Sequence, residues 1–260
     1  TNFQSITSWR NTFQSWNLDL TDQPGSIFNL FTINDSDQLS QEFKFSGTAF
    51  DDRLEYSTGV FYFEEDSFSF IGDQINLFFG PGARLPLPFF SRDYDVGIKS
   101  YAAFAEGTYS LTDDLRLIVG GRITRDEKTL DIIHKVGGTV GLVSDGPIVD
   151  WDSATLLALG TPTEQNFSEF TPRLGLQYDI TEDVNVFAMF TRGFKSGGWN
   201  AFDNSPSFEP ETLWSYEIGS KSELADGLVR FNTSAFYYDY KNLQVSAFKD
   251  GLTVTTNAAE

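Results

Sequence analysis

The sequence predicts an all-β fold, an antiparallel up-and-down transmembrane β-barrel, on three observations. Apolar and polar side chains alternate with a period of two, long strands are joined by alternately short and long connections, and aromatic residues gather near strand ends. The 260-residue chain is 16% aromatic, with 26 Phe against a single Met, which is unlike the Leu- and Val-rich core of a soluble enzyme.

The first strand is expected over Phe3–Leu20. Three further hairpins repeat one unit. Leu39–Phe50 and Leu54–Glu65 flank Asp51-Asp52-Arg53; Ile98–Leu111 and Leu115–Leu130 flank Thr112-Asp113-Asp114; Glu211–Leu224 and Leu228–Phe248 flank Ala225-Asp226-Gly227. The clearest strand is FTPRLGLQYDI, where Phe170, Pro172, Leu174, Leu176, Tyr178 and Ile180 alternate with Thr171, Arg173, Gly175, Gln177 and Asp179. After Thr181-Glu182-Asp183 the alternation resumes at Val184, Val186, Ala188 and Phe190, as a tight turn requires. The total is about nine strands, longer than the usual 5–6 residues of globular proteins. Asp and Gly at the turns supply local hydrogen bonds and positive φ, so turn chemistry explains the acidic pairs without calcium.

Long connections are expected at 21–38, 66–97, 131–166 and 196–210. Short turns then fall at one end of the sheet and long loops at the other, the asymmetry of an outer-membrane barrel. In Leu115–Thr124 the residues Leu115, Leu117, Val119 and Ile123 face lipid, whereas Arg116, Arg122 and Thr124 face a wet or polar-filled interior; Ile118 is the exception. Aromatic pairs such as Tyr101 with Tyr109 and Phe170 with Tyr178 are placed to sit at headgroup level.

Composition excludes several other classes. A net charge of -19 leaves no basic stripe to displace counterions from a phosphate backbone, so no nucleic-acid partner is expected. Zero Cys and one His leave no thiolate site and no multi-histidine site, and neither a cofactor nor a catalytic site is expected. Lys195-Ser196 among Gly193, Gly197 and Gly198 lacks the spacing of a phosphate-binding loop. These glycines read as the point where a strand becomes a mobile loop, and His134 as an exposed surface residue. The chain opens TNFQSITSWRN with no signal-peptide pattern and closes TTNAAE with no strand pattern, so it reads as an internal piece of a longer protein.

The downstream half carries a specific pattern. FTRGFKSGGWNAF, containing Arg192, Gly193 and Phe194, precedes a Pro-Glu-x-x-x-x-Tyr-Glu-x-Gly-x-Lys motif formed by Pro210, Glu211, Tyr216, Glu217, Gly219 and Lys221. A Leu243-Gln244 pair follows, and upstream Gly120-Gly121-Arg122 precedes Asp126-Glu127-Lys128. Over nearly its whole length the chain resembles the β-barrel domain of TonB-dependent receptors of the Gram-negative outer membrane.

The resemblance implies that residues 1–260 are part of one barrel domain, a roughly 22-stranded barrel filled by an N-terminal plug. The plug, its TonB box and the C-terminal strands are expected outside this stretch. It further implies energised import of a ferric siderophore or similar bulky nutrient. The implied partners are the TonB complex, through that N-terminal region, and outer-membrane lipid with lipopolysaccharide. Candidate ligand contacts are Arg84, Arg92 and Trp151 in the long connections, and Lys195 and Trp199 at the strand lip: guanidinium and ammonium groups suit anionic oxygens, and indole offers a stacking face. The matched motif residues are read as structural. Two other readings make distinct demands. A passive porin needs no plug, and a secreted β-sheet adhesin needs its apolar face covered by a second sheet.

Overall fold

The computed structural model describes residues 1–19, 28–80, 83–136, 148–200, 207–249 and 252–258. One antiparallel sheet dominates it. Its strands are β1 (Asn2–Asp19), β2 (Phe28–Ala49), β3 (Leu54–Gly80), β4 (Ala83–Ser110), β5 (Leu115–Val136), β7 (Glu164–Thr181), β8 (Val184–Lys195), β9 (Glu211–Leu224) and β10 (Val229–Lys241). They pair in chain order, which is the up-and-down topology expected, and a short β6 (Ile148–Asp152) pairs with the upper part of β5. A helix, α1 (Ser153–Ala158), and a separate hairpin of β11 (Gln244–Lys249) and β12 (Leu252–Asn257) complete the described elements. The sheet is open, with β1 and β10 at its edges.

The four tight turns use two chemistries. Phe50, Asp51 and Asp52 in one turn, and Ala225, Asp226 and Gly227 in another, have positive φ, which lets the right-twisted strands continue across a short link. In the other two, a threonine hydroxyl accepts from the turn backbone: Thr112 Oγ1 from Leu115 N at 3.0 Å, and Thr181 Oγ1 from Asp183 N at 3.2 Å.

Register puts one parity of every strand on a common apolar face. One ladder row runs Val60, Ala103, Ile123, Phe170, and another runs Tyr56, Gly107, Val119, Leu174, Phe190, Tyr216, Tyr237. Many of these side chains are exposed, among them Ile123 at 60% and Ile218 at 63%, and no second sheet covers them among the described residues. Tyr56, Tyr109 and Tyr178 bound this face towards the tight turns, and Tyr62, Tyr101 and Tyr216 bound it towards the other end. Between them no Asp, Glu, Lys or Arg points outward among the described residues. Ionisable groups resume immediately beyond, as in the Lys99–Glu64 pair at 3.2 Å. From Tyr101 to Tyr109 the strand climbs roughly 27 Å at about 3.4 Å per residue, which after tilting fits an apolar band of about 25 Å. An uncovered, charge-free band of this height matches the hydrocarbon of a membrane.

The opposite face is polar and internally paired. Arg173 reaches Glu106 at 3.1 Å across the intervening β5, where Gly120 leaves the space: a Cβ there would lie 3.1 Å from the Glu106 Cβ and Cγ. Arg116 pairs with Asp179, which also accepts from Asn185 Nδ2 at 2.5 Å. Arg122 lies over the rings of Phe61 and Phe104 at 5.4 and 5.9 Å, on the inner face its parity predicts.

Three expectations are corrected. Most of 66–97 and the stretch 28–38 are strand, because β3 and β4 run 27 and 28 residues and β2 runs 22. Beyond the membrane both faces of a strand meet polar surroundings, so the alternation vanishes while the hydrogen-bonded ladder persists. The expected strand Leu228–Phe248 breaks after Lys241, where Asn242 adopts φ 54° and the chain turns into β11. His134 is buried at 6% rather than exposed, because β5 continues past Leu130 and carries it on the inner parity opposite Arg92.

Leu174 sits mid-band, opposite Val119 and Phe190. Replacing it by Arg lowers folding stability by about 2–4 kcal/mol in urea titrations of the full-length protein in lipid vesicles, whereas Thr108→Arg on the inner face, opposite Glu55, leaves it nearly unchanged.

Candidate functional site

Above the apolar band the sheet splits. β5 and β7 stay paired up to Thr129 opposite Glu164, but β7 and β8 pair only as far as Arg173 opposite Thr191. The upper halves of β7 and β8 therefore diverge, and their freed groups need other partners. Arg192 spans the gap: its Nη1 donates to Glu169 Oε2 at 2.6 Å and to the Phe170 carbonyl at 2.7 Å, and its guanidinium lies 5.7 Å from the Trp214 ring.

Past the end of β8 the chain folds back over the inner wall as a strap, Ser196 to Asn200. Gly197 and Gly198 are buried there, not part of a free loop. Gly198 forms a two-way backbone bridge with Phe208, and Gly197 lies so close that a Cβ would approach the Phe208 carbonyl to 2.3 Å and the Phe167 ring to 2.8 Å. This closeness brings the Gly197 carbonyl within 2.7 Å of Lys128 Nζ. Trp199 donates its indole N–H to the Pro162 carbonyl at 2.6 Å and packs on Leu130, Ile132 and Leu156, the last from α1.

The strap and wall enclose a cavity of about 430 Å³. β4 lends Tyr94, Val96 and Ile98, β5 lends Lys128, Leu130 and Ile132, Lys195 comes from the end of β8, and Trp199, Asn200 and Phe208 come from the strap and its return. Gln244, Ser246 and Thr255 of the β11–β12 hairpin close one side. Burial, aided by the neighbouring Lys195 charge, pushes the Lys128 ammonium pKa below the ordinary lysine value, with Asp126 opposing. Burial likewise pushes the Tyr94 phenol up. A half-apolar pocket with aromatic faces and a partly desolvated cation is suited to non-covalent recognition of a bulky ligand. Among the described residues no group of three or more His, Asp or Glu is placed to hold a metal ion.

A family profile described as TonB dependent receptor-like, beta-barrel, matches residues 1–260. The chain belongs to that family. TonB-dependent receptors are outer-membrane proteins of Gram-negative bacteria, which makes the tight turns periplasmic and puts the cavity on the extracellular half of the inner wall. The family is one of receptors and transporters rather than enzymes. Among curated relatives, the ferripyoverdine receptor of Pseudomonas aeruginosa is 26% identical over 150 residues, 57% of this chain and 15% of that receptor. The metal-pseudopaline receptor CntO of the same species is 34% identical over 83 residues, 32% of this chain and 12% of that receptor. The chain thus matches a small part of these relatives' length.

Among solved structures, the ferric yersiniabactin uptake receptor FyuA of Yersinia pestis superposes with TM-score 0.71 at 19% identity, covering 98% of this chain and 35% of that one. The siderophore receptor PiuA of Acinetobacter baumannii gives 0.65 at 14% identity, covering 98% and 39%. At such identities the likeness is one of fold.

The five candidate contacts fall in different places. Lys195 and Trp199 meet at the cavity. Arg92 is buried at 4% in a ladder row with Ile71 and His134. Arg84 lies on β4 opposite Phe78, and Trp151 on β6 opposite His134, but their side chains fall outside the described residues. Of the motif residues, Glu211 accepts the Gln244 N–H at 2.8 Å, Tyr216 stands on the outer face between Phe190 and Tyr237, and Lys221 lies 5.8 Å from the Phe187 ring on the inner face. Glu217 and Lys221 line a separate inner groove of about 920 Å³ near the periplasmic turns. Tyr94, Asn200 and Phe208 are not among the residues the sequence points to, and Lys128 enters there only through the Asp126-Glu127-Lys128 motif, not as a site residue. For Lys128 a signal existed, because it shares inner parity with Leu130 and Ile132.

Asp152 caps α1 by accepting from Thr155 N and Thr155 Oγ1, both at 2.9 Å, and these bonds hold its carboxyl below the ordinary value of 3.8. A lowered native pKa stabilises the cap above the unfolded value and loses that contribution as pH falls through the native one. The protection factor of the Thr155 amide is therefore expected to stay constant from neutral pH to about pH 4 and to fall below it. Asp152→Ala has a low protection factor throughout and lacks the pH step.

Proposed function

We propose that this chain forms part of the wall of a TonB-dependent transporter whose substrate is a ferric siderophore or a similarly bulky nutrient, taken up from the extracellular side. The observation that carries this reading is the extracellular-half cavity, where Lys128, Lys195, Tyr94 and Trp199 converge on the inner wall of a barrel of this family. Lys195 and Trp199 are its ligand contacts, with Arg84, Arg92 and Trp151 supplying others from the upper wall. Relatives named for ferripyoverdine and for metal-pseudopaline support an iron or metal chelate as the substrate class.

The remaining roles follow from the same reading. Residues 1–260 belong to one barrel domain, and a plug encoded upstream fills the lumen against the periplasmic-half groove lined by Arg116, Arg173, Glu217 and Lys221. Mixed charges there suit a polar protein surface rather than a lipid. Energy comes from the TonB complex acting on that upstream region. Outside the barrel, Lys99, Arg125 and Arg192 lie just above the aromatic boundary, at the level of lipopolysaccharide headgroups. The work is binding and gated passage, with no bond made or broken in the substrate.

Uptake of radiolabelled iron chelates by cells with and without the full-length gene tests this reading. Uptake of at least one chelate is expected to depend on both the gene and TonB. Equal uptake across a panel of catecholate, hydroxamate and carboxylate chelates, with gene-dependent uptake of cobalamin instead, would remove iron and leave a vitamin transporter; one relative named as a vitamin B12 transporter makes that arm worth running.

A further inference from the structure

The cavity on the extracellular half of the wall departs from the charge balance of the whole chain. Acidic residues outnumber basic ones 37 to 18, yet the described residues of the cavity lining include two lysines and no Asp or Glu. The periplasmic-half groove, by contrast, mixes Arg116, Arg173 and Lys221 with Asp179, Glu217 and Glu223.

Lys128 is the cation set deepest in this lining. Its ammonium donates to the neutral Gly197 carbonyl at 2.7 Å and lies 5.9 Å from the Phe167 ring, and no carboxylate lies within 4 Å of it among the described residues. An anionic oxygen is a better acceptor for an ammonium than an amide carbonyl, because it adds the attraction of opposite charges to the hydrogen bond. Lys195 adds a second positive charge at the rim, while its ladder neighbour Glu211 is engaged by the Gln244 N–H.

What Lys128 holds is the strap, and the strap holds the β11–β12 hairpin. Asn200 uses both ends of its amide on one residue, accepting from Thr255 N at 2.7 Å and donating to the Thr255 carbonyl at 3.1 Å. Gln244 Nε2 donates to the Ser196 and Glu209 carbonyls, both at 3.1 Å, and Asn257 exchanges bonds with Glu209. The hairpin is thus docked mainly by amide side chains gripping backbone. Each of these bonds can be exchanged for one to water, so the hairpin can lift without stranding a polar group.

We propose that an anionic group entering the cavity takes the Lys128 ammonium from the Gly197 carbonyl, so that Lys128 both selects anionic ligands and releases the strap together with the β11–β12 hairpin. The inference rests on the cavity being a ligand site, and it names the ligand's charge and the movement coupled to binding. Gly197 is fixed in the same device, since any side chain there would strike Phe208 and Phe167 and lift the carbonyl from Lys128.

The experiment uses the full-length receptor in detergent with two probes, the anionic ferric complex of 2,3-dihydroxybenzoate and the neutral ferric complex of acetohydroxamate. Binding is read by tryptophan quenching, and release by hydrogen exchange in segments 196–200 and 252–258. The wild type is expected to prefer the anionic complex by about tenfold or more, and binding speeds exchange in 252–258. Lys128→Met is expected to lose the preference and show fast exchange in 252–258 without ligand, while Lys128→Arg keeps the preference. Retained preference in Lys128→Met, or exchange in 252–258 that neither the anion nor the substitution changes, overturns the proposal. If the wild type binds neither complex, the import reading loses its ligand site, and iron-free 2,3-dihydroxybenzoate decides the exchange step alone. Faster exchange in wild type but not in Lys128→Met then sustains the step, and unchanged exchange sinks it.

Discussion

Inside a bilayer no water is available to satisfy a backbone N–H or C=O, so every such group of a spanning segment must find its partner within the protein. The ladder from β1 to β10 meets that demand within the sheet, leaving one edge each of β1 and β10. Its price is paid in side-chain freedom: once the ladder is fixed, parity assigns each residue to lipid or to the interior. Tyr56, Val119, Leu174 and Ile218 face outward, and Glu106, Arg122, Arg173 and Glu217 face inward. The charge-free outer band and the ion-paired inner face are therefore two consequences of one hydrogen-bonding constraint.

Where the membrane ends the constraint relaxes, and the cavity arises from that relaxation. β7 and β8 part above Arg173 and Thr191 because water and side chains can now satisfy what the ladder gives up. Arg192 takes one of the freed carbonyls, and the strap covers the inner wall beside the split. The extended β3 and β4 hairpin continues the ladder far above the band, giving the strap and α1 a rigid surface to pack on. A site on the rim of such a wall can change shape without disturbing the spanning part, since it lies beyond the membrane-spanning ladder.

Sequence patterning by itself determined the antiparallel fold, the strand order, the tight-turn end and the lipid-facing parity. These are local consequences of a two-residue period and of turn chemistry at Asp51-Asp52, Thr112 and Thr181, and they are legible wherever one face meets lipid and the other water. The tertiary structure alone decided where the ladder continues without that contrast, as in 66–97, and where it breaks, as at Asn242. It also decided the site. Lys128 and Gly197 are 69 positions apart, and Asn200 and Thr255 are 55 apart. No periodicity reports such contacts, because they depend on β8 ending where β7 has already turned away. Lys195 and Trp199 were legible as a cation and an indole at a strand lip, but only the fold of the strap over β5 brings them to a shared cavity.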